Sequence, residues 1–291
     1  MKRNIKKTVG MILVLTLALT CAAGFAEPFD TSAAIAVISR EDGSGTRGAF
    51  VELTGIEVKD DAGEKIDRTT EEAIVTNATS VMMTTVAGNA SAIGYISLGS
   101  LNDTVKALTI DGAQATTENV KDGSYAIARP FNIATKGTPS ALAADFMAFI
   151  RSRDGQDVVC ANGYIDVSDD AAYAGTSPAG KLIVAGSSSV TPVMEKLKEA
   201  YLARNPAATI ELQQSDSTTG ANAAIDGIAD IGMVSRALKD SELEKGLVPV
   251  TIAMDGIAVI VNNENPQSAM TREQVCAVFT GEAATWADIG A

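Results

Sequence analysis

An α/β fold in two lobes is what this sequence predicts, and three observations predict it. Short apolar strands alternate with helical patterns along nearly the whole chain. Two glycine- and serine-rich turns, each joining a strand to a helix, lie in opposite halves. Residues 166–180 alone carry no apolar period and read as a linker.

The first turn is residues 39–50, Ser-Arg-Glu-Asp-Gly-Ser-Gly-Thr-Arg-Gly-Ala-Phe. Ala33-Ala34-Ile35-Ala36-Val37-Ile38 reads as a buried strand leading in. Ala49, Phe50, Val51 and Leu53 read as the apolar side of a short helix leading out. Between them sit Arg40, Asp42, Gly43, Ser44, Gly45 and Thr46. A guanidinium, two hydroxyls and the outward N–H groups of a helix start make an anion cradle that needs no metal. The plainer reading is a polar turn in which Ser44 or Thr46 caps the helix.

The first 26 residues read as an export signal. Lys2, Arg3, Lys6 and Lys7 form its basic start, Val9 to Ala18 its apolar stretch, and Gly24-Phe25-Ala26 its cleavage site. Cys21 offers a lipid anchor instead, but Thr20 fits a lipobox poorly, so cleavage after Ala26 is favoured. Removing the signal takes away four positive charges and moves the formal balance from −13 to −17. Such acidity argues against nucleic acid and anionic membranes as partners. It leaves a small anion open, since that depends on local dipoles and one placed arginine. There is no histidine. A Ser–His–Asp triad is therefore impossible, and no metal site or cofactor is expected.

Residues 54–74 are polar, with a surface turn at Lys59-Asp60-Asp61-Ala62-Gly63. Residues 73–87 read as one buried helix, and 92–98 and 105–110 as strands, the latter turned at Asp111-Gly112. Residues 125–134 alternate as a strand, with Pro130 placing it at an edge or crossover. Leu142, Phe146, Met147, Phe149 and Ile150 fall at helical spacing, and Val158-Val159-Cys160 forms a second apolar turn. After the linker, Leu182-Ile183-Val184-Ala185 reads as a strand and Gly186-Ser187-Ser188-Ser189 as a hydroxyl-rich loop. Pro192 sits at the start of a helix carrying Met194, Leu197 and Tyr201. Ile210-Glu211-Leu212 leads to a second polar loop, Ser215 to Gly220. Strands follow at 229–234 and 257–261, then a helix with Val275, Val278 and Phe279. Cys160 and Cys276 are expected as buried free thiols.

Arg40-Glu41-Asp42-Gly43-Ser44-Gly45-Thr46-Arg47 and Gly186-Ser187-Ser188-Ser189-Val190-Thr191-Pro192 resemble the phosphate-binding proteins of bacterial ABC-type phosphate importers. So do Ala229-Asp230-Ile231-Gly232 with Ser235-Arg236, Asp255-Gly256-Ile257-Ala258-Val259 with Asn262, and Tyr125 with Arg129-Pro130. The resemblance covers nearly all of the chain after the signal. It implies a two-lobed periplasmic-binding-protein type II fold closing on inorganic phosphate, with ABC permease subunits in the membrane as partners. The order of the pieces departs from the family. There the Gly-Ser-Ser loop comes near the start and the Arg-x-Asp-Gly-Ser-Gly-Thr loop near the middle. Reading from Leu182 to Ala291 and then from Ala33 to Val167 restores that order. The chain is thus expected to be circularly permuted, with residues 166–180 joining the family's old ends. The lobes would be 27–122 with 264–291, and 123–263. A monomer is expected; a swapped dimer or a piece of a longer tandem protein are the alternatives.

By position, the resemblance makes Arg40 the charged ligand, held by Asp42, with Ser44, Gly45 and Thr46 as donors. Ser188, Ser189 and Ser217 face them from the other lobe, although each could simply cap a helix. Ser235 stands where some members place an Asp that accepts a proton from phosphate and so rejects sulfate. Discrimination would then fall to Asp216, which replaces a usual glycine, or to the hydroxyls. Arg236 reads as a salt-bridge partner and Asp255 as serving the strand crossover. The function implied is extracytoplasmic phosphate capture rather than catalysis. The alternatives are a sensing or surface-interaction protein and, less favoured, a phosphatase or phosphotransferase.

Overall fold

Strand β1 (Ala36–Arg40) leads into helix α1 (Gly45–Leu53), β2 (Ile74–Thr76) into α2 (Thr79–Ala87), and β3 (Ala92–Ser97) follows. These belong to a computed structural model that describes residues 29–167 and 171–290. The proposed export signal with Cys21, and linker residues 168–170, lie outside the described residues. The chain continues through β4 (Ala128–Lys136), α3 (Ala141–Arg151), α4 (Arg153–Ala161), β5 (Gly180–Ser187), α5 (Thr191–Arg204) and β6 (Ala208–Ser215). Helix α6 (Ser217–Ile225), β7 (Ile231–Val234), β8 (Leu247–Val261) and α7 (Arg272–Phe279) complete the framework.

One mixed sheet runs β6-β5-β7-β4-β8-β3-β1-β2. At each end three strands are parallel, and in each triplet the first strand in sequence lies in the middle. Between the triplets, β4 and β8 run antiparallel to each other and join the halves. Each triplet has its own core. Phe50, Tyr95, Phe279 and Trp286 belong to one, and Phe131, Phe146, Phe149 and Tyr201 to the other. Both connections pass from one core to the other. Tyr125 and Ile127 pack in the first core and Phe131 in the second; Ala253 packs in the second and Ile257 to Val261 in the first. The change of core thus falls between Ile127 and Phe131 on the first connection and between Ala253 and Ile257 within β8.

Local chemistry explains the helix starts. Ser44, Ser140, Ser152 and Asp216 cap α1, α3, α4 and α6, each accepting from a backbone N–H three residues on. Residues 73–87 are not one helix. Ile74, Val75 and Thr76 pair in parallel with Ile38, Ser39 and Arg40, as β-branched residues favour, and the helix begins only at Thr79. Residues 105–110 divide into two short strands, Lys106–Ala107 and Thr109–Ile110. Cys160 is exposed and Cys276 half-buried, so neither thiol is buried as expected.

The later part of the linker is tied down. Asp145 accepts from the hydroxyls of Tyr173 (2.5 Å) and Tyr201 (2.8 Å) and from the Thr176 N–H (2.8 Å). At the far side of the molecule, early and late segments meet. Ile35 N donates to Ala284 O and Ala287 N to Thr31 O, both at 2.8 Å. Among the described residues, no helix is long and apolar enough to cross a membrane.

Candidate anion-binding site

Four helices, α1 and α2 from one half and α5 and α6 from the other, each begin within a few residues of a parallel strand's end. Their N-terminal residues meet between the halves: Thr46 and Thr79 on one side, Ser188, Ser189 and Ser217 on the other. Each helix start carries about half a positive charge in unpaired N–H groups, so their convergence favours an anion.

The hydroxyls interlock across the gap. Thr46 Oγ1 lies 2.8 Å from Ser189 Oγ and 3.4 Å from Ser235 Oγ. Thr79 Oγ1 lies 3.1 Å from Ser189 Oγ and 3.5 Å from Ser188 Oγ. Ser235 receives a hydrogen bond from Ser187 Oγ at 3.0 Å, while its N–H donates to Ser217 Oγ at 3.0 Å. Backbone contact adds to these, with Thr218 N donating to Gly43 O at 3.1 Å. A cleft of about 270 Å3 opens beside them, lined in part by Thr79, Ser188, Pro192 and Gln214.

Arg40 is 2% exposed and holds one edge of the cluster. Its Nη2 donates to Ser188 Oγ at 3.1 Å. Its Nε and Nη2 also grip both carboxylate oxygens of Glu41, at 2.8 and 2.7 Å. The Tyr95 hydroxyl supports the loop from below, accepting from Arg40 N at 3.1 Å; burial pushes that phenol up to about 12.

Of the expected site residues, Arg40, Thr46, Ser188, Ser189, Ser217 and Ser235 are brought together, with Gly45 at the α1 start beside Ser217 and Ser235. Three are placed otherwise. Asp42 does not hold Arg40: its side chain is 97% exposed and pairs with Arg47 at 2.8 Å, while Glu41 takes the expected role. Ser44 Oγ accepts from Arg47 N at 3.3 Å, as a cap does. Asp216 caps α6 through Thr219 N at 2.8 Å and sits against Gly43. Arg236 grips Glu242 within the second half, at 2.8 and 2.9 Å.

Sequence reasoning missed Thr79 and, although it named Ser187, Glu41 and Arg129 within motifs, gave them no site role. Arg129 Nη2 donates to Thr46 Oγ1 at 3.0 Å and lies 3.3 Å from Asp255 Oδ2. Among the described residues, no group of three or more Cys, Asp or Glu side chains could hold a metal ion.

Two parallel triplets joined by two crossing strands, with helix starts facing each other across a cleft, define a two-lobed solute-binding architecture. A family model described as a PBP superfamily domain matches residues 28–154 and 171–291. Phosphate-binding protein PstS 2 of Streptococcus agalactiae is 55% identical over 256 residues, covering 88% of this chain and 87% of the relative. Phosphate-binding protein PstS 2 of Streptococcus pneumoniae is 46% identical over 284 residues, covering 94% and 97%. The crystal structure of a phosphate-binding protein of a phosphate ABC transporter from Streptococcus pneumoniae superimposes with a TM-score of 0.69 at 48% identity. It covers 88% of this chain and 100% of that one. The chain belongs to the PBP superfamily, in the family of phosphate-binding proteins of ABC phosphate transporters.

Proposed function

We propose that this protein binds one inorganic phosphate between its lobes, outside the cytoplasm, and hands it to the permease of an ABC importer. It acts as a monomer without catalysing a reaction. The observation that carries this reading is the convergence of Arg40, four helix starts and seven hydroxyls from both lobes at one buried junction. Binding would work by closure. Hydroxyls and N–H groups from the two lobes replace the anion's water, and the charge-assisted bonds, roughly 1.5–3 kcal/mol each, offset desolvation. The relatives' names fit this chemistry.

Ser235, standing where a carboxylate could accept a proton from the ligand, offers only a hydroxyl there. Titration calorimetry is expected to show phosphate binding at one site per chain, with sulfate within about tenfold of it. Absence of phosphate binding by folded protein would refute the reading. Turnover of a chromogenic phosphate ester would favour the enzyme alternative.

We also infer that the segment order is a circular permutation. Supporting this are the matching arrangement of the two triplets and the contacts of residues 31 and 35 with 287 and 284. A chain rebuilt from Gly180 to Gly290, joined by a short spacer to Asp30 and ending at Val167, keeps every described strand. It is expected to fold and bind phosphate within about threefold of the parent. Failure of that chain to fold would contradict the inference.

A further inference from the structure

Arg129 is an expensive residue to keep where it is. It lies on β4, one of the two strands joining the lobes, directly across from Asp255 on β8. It is 2% exposed and Asp255 is fully buried. A guanidinium has five N–H donors, yet Nε and Nη1 are buried without a hydrogen-bond partner. The Asp255 contact does not complete it. Its Oδ2, 3.3 Å from Nη2, has no hydrogen-bond partner, while Oδ1 accepts from Ser97 Oγ at 3.0 Å and more weakly from Gly99 N. The Phe131 ring centroid lies 5.2 Å from the guanidinium carbon and takes up part of the charge. Replacing such a buried pair by apolar residues is often neutral or stabilising, so folding alone does not account for it.

Thr46 shows what the use is. A hydroxyl has one proton and two lone pairs. Thr46 Oγ1 accepts from Arg129 Nη2 on one side and faces Ser189 and Ser235 on the other. With a lone pair committed to Arg129, its proton is free to be directed toward the cleft. We infer that Arg129 is a positioning residue for the anion: from behind Thr46 it turns that hydroxyl into a donor and lends the site a second positive charge, for which Asp255 competes. This rests on the phosphate reading above.

The protonation behaviour of the pair agrees. Burial raises the Asp255 carboxyl to about 6 against the pull of Arg129. Burial also lowers Arg129 to about 10, and the Arg40 charge adds to that. Each member is under-compensated by the other, so an arriving anion would find cationic charge still to be neutralised. Arg40 supplies direct contact at one edge of the site and Arg129 acts from the hinge side. Both lobes' crossing strands thereby become tied to occupancy.

The test is titration of the full exported chain with phosphate at mildly alkaline pH, where the ligand is a dianion. Arg129→Met and Asp255→Asn are compared with the parent, each checked for a cooperative thermal transition. Arg129→Met is expected to weaken binding about 30-fold or more. Asp255→Asn keeps the side chain's shape and its acceptor for Ser97 and Gly99 while removing the competing charge. It is expected to tighten binding about three- to tenfold, a sign that a merely structural salt bridge would not give. Binding unchanged in Arg129→Met, or unchanged or weakened in folded Asp255→Asn, would overturn the inference. If Arg129→Met does not fold, Asp255→Asn decides. No phosphate binding by the parent would sink the functional reading and this inference with it, whereas normal parent binding with a silent Arg129→Met would sink the inference alone.

Discussion

Arg40→Ala is expected to lower phosphate affinity about a thousandfold, roughly 4 kcal/mol, from the loss of two or more charge-assisted bonds at a buried site. The loss has two parts. The first is the guanidinium's own contact with the anion, next to its bond to Ser188 Oγ. The second comes from Glu41, whose two oxygens are gripped by Arg40 Nε and Nη2. With Arg40 gone, that carboxylate stands uncompensated beside the cradle and repels an incoming anion. Arg40→Lys should recover little, since a single ammonium cannot hold Glu41 at two points and also face the ligand. Titration calorimetry on both variants checks this, and a loss under about tenfold in Arg40→Ala would mean the anion sits elsewhere.

Gly186→Ala is expected to destabilise the fold by more than about 3 kcal/mol, combining a strained backbone with overpacking. Gly186 has φ 134°, where side-chain-bearing residues rarely sit, and an added Cβ would lie 2.3 Å from the carbonyl oxygen of Met233. Gly220 on α6 packs against it so closely that its own Cβ would fall 2.5 Å from the Gly186 Cα. This glycine contact lets α6 lie directly on β5 and β7, which brings Ser217 up to Ser235. The nearest atoms, Met233 O, Gly220 Cα and Met233 N, all belong to the backbone and cannot swing away. The effect therefore reaches the site as well as the fold. Urea unfolding of parent and variant measures it, and a loss under about 1 kcal/mol would contradict the packing account.

Much of this was legible in the residues. The alternation of strands and helices announced the α/β class, and the two glycine–serine turns marked two of the helix starts that converge between the halves. Local sequence placed Arg40, Thr46, Ser188 and Ser189 at strand-to-helix turns, and the resemblance to phosphate-binding proteins, not that placement alone, suggested ligand roles for them. Thr79 was hidden for a local reason: β2 is only three residues long, and its Ile74-Val75-Thr76 merges with the apolar pattern of α2. Arg129 was hidden for a topological one. Its partners are Thr46 and Asp255, brought beside it by pairing of β4 with β8 and by contact with α1, and no periodicity in sequence encodes that meeting. Glu41 was misjudged in favour of Asp42 because spacing alone does not say which of two adjacent carboxylates turns inward.

The central claim is that one anion is held jointly by both lobes at the Arg40–Thr46–Ser188–Ser189 junction. A crystal structure of the protein grown with phosphate tests it most directly. The account predicts one tetrahedral anion per chain, within hydrogen-bonding distance of the Arg40 guanidinium, the α1 start and the Ser188 or Ser189 hydroxyl together. An anion bound to one lobe only, or lying outside this junction while the lobes stay in contact, would contradict it.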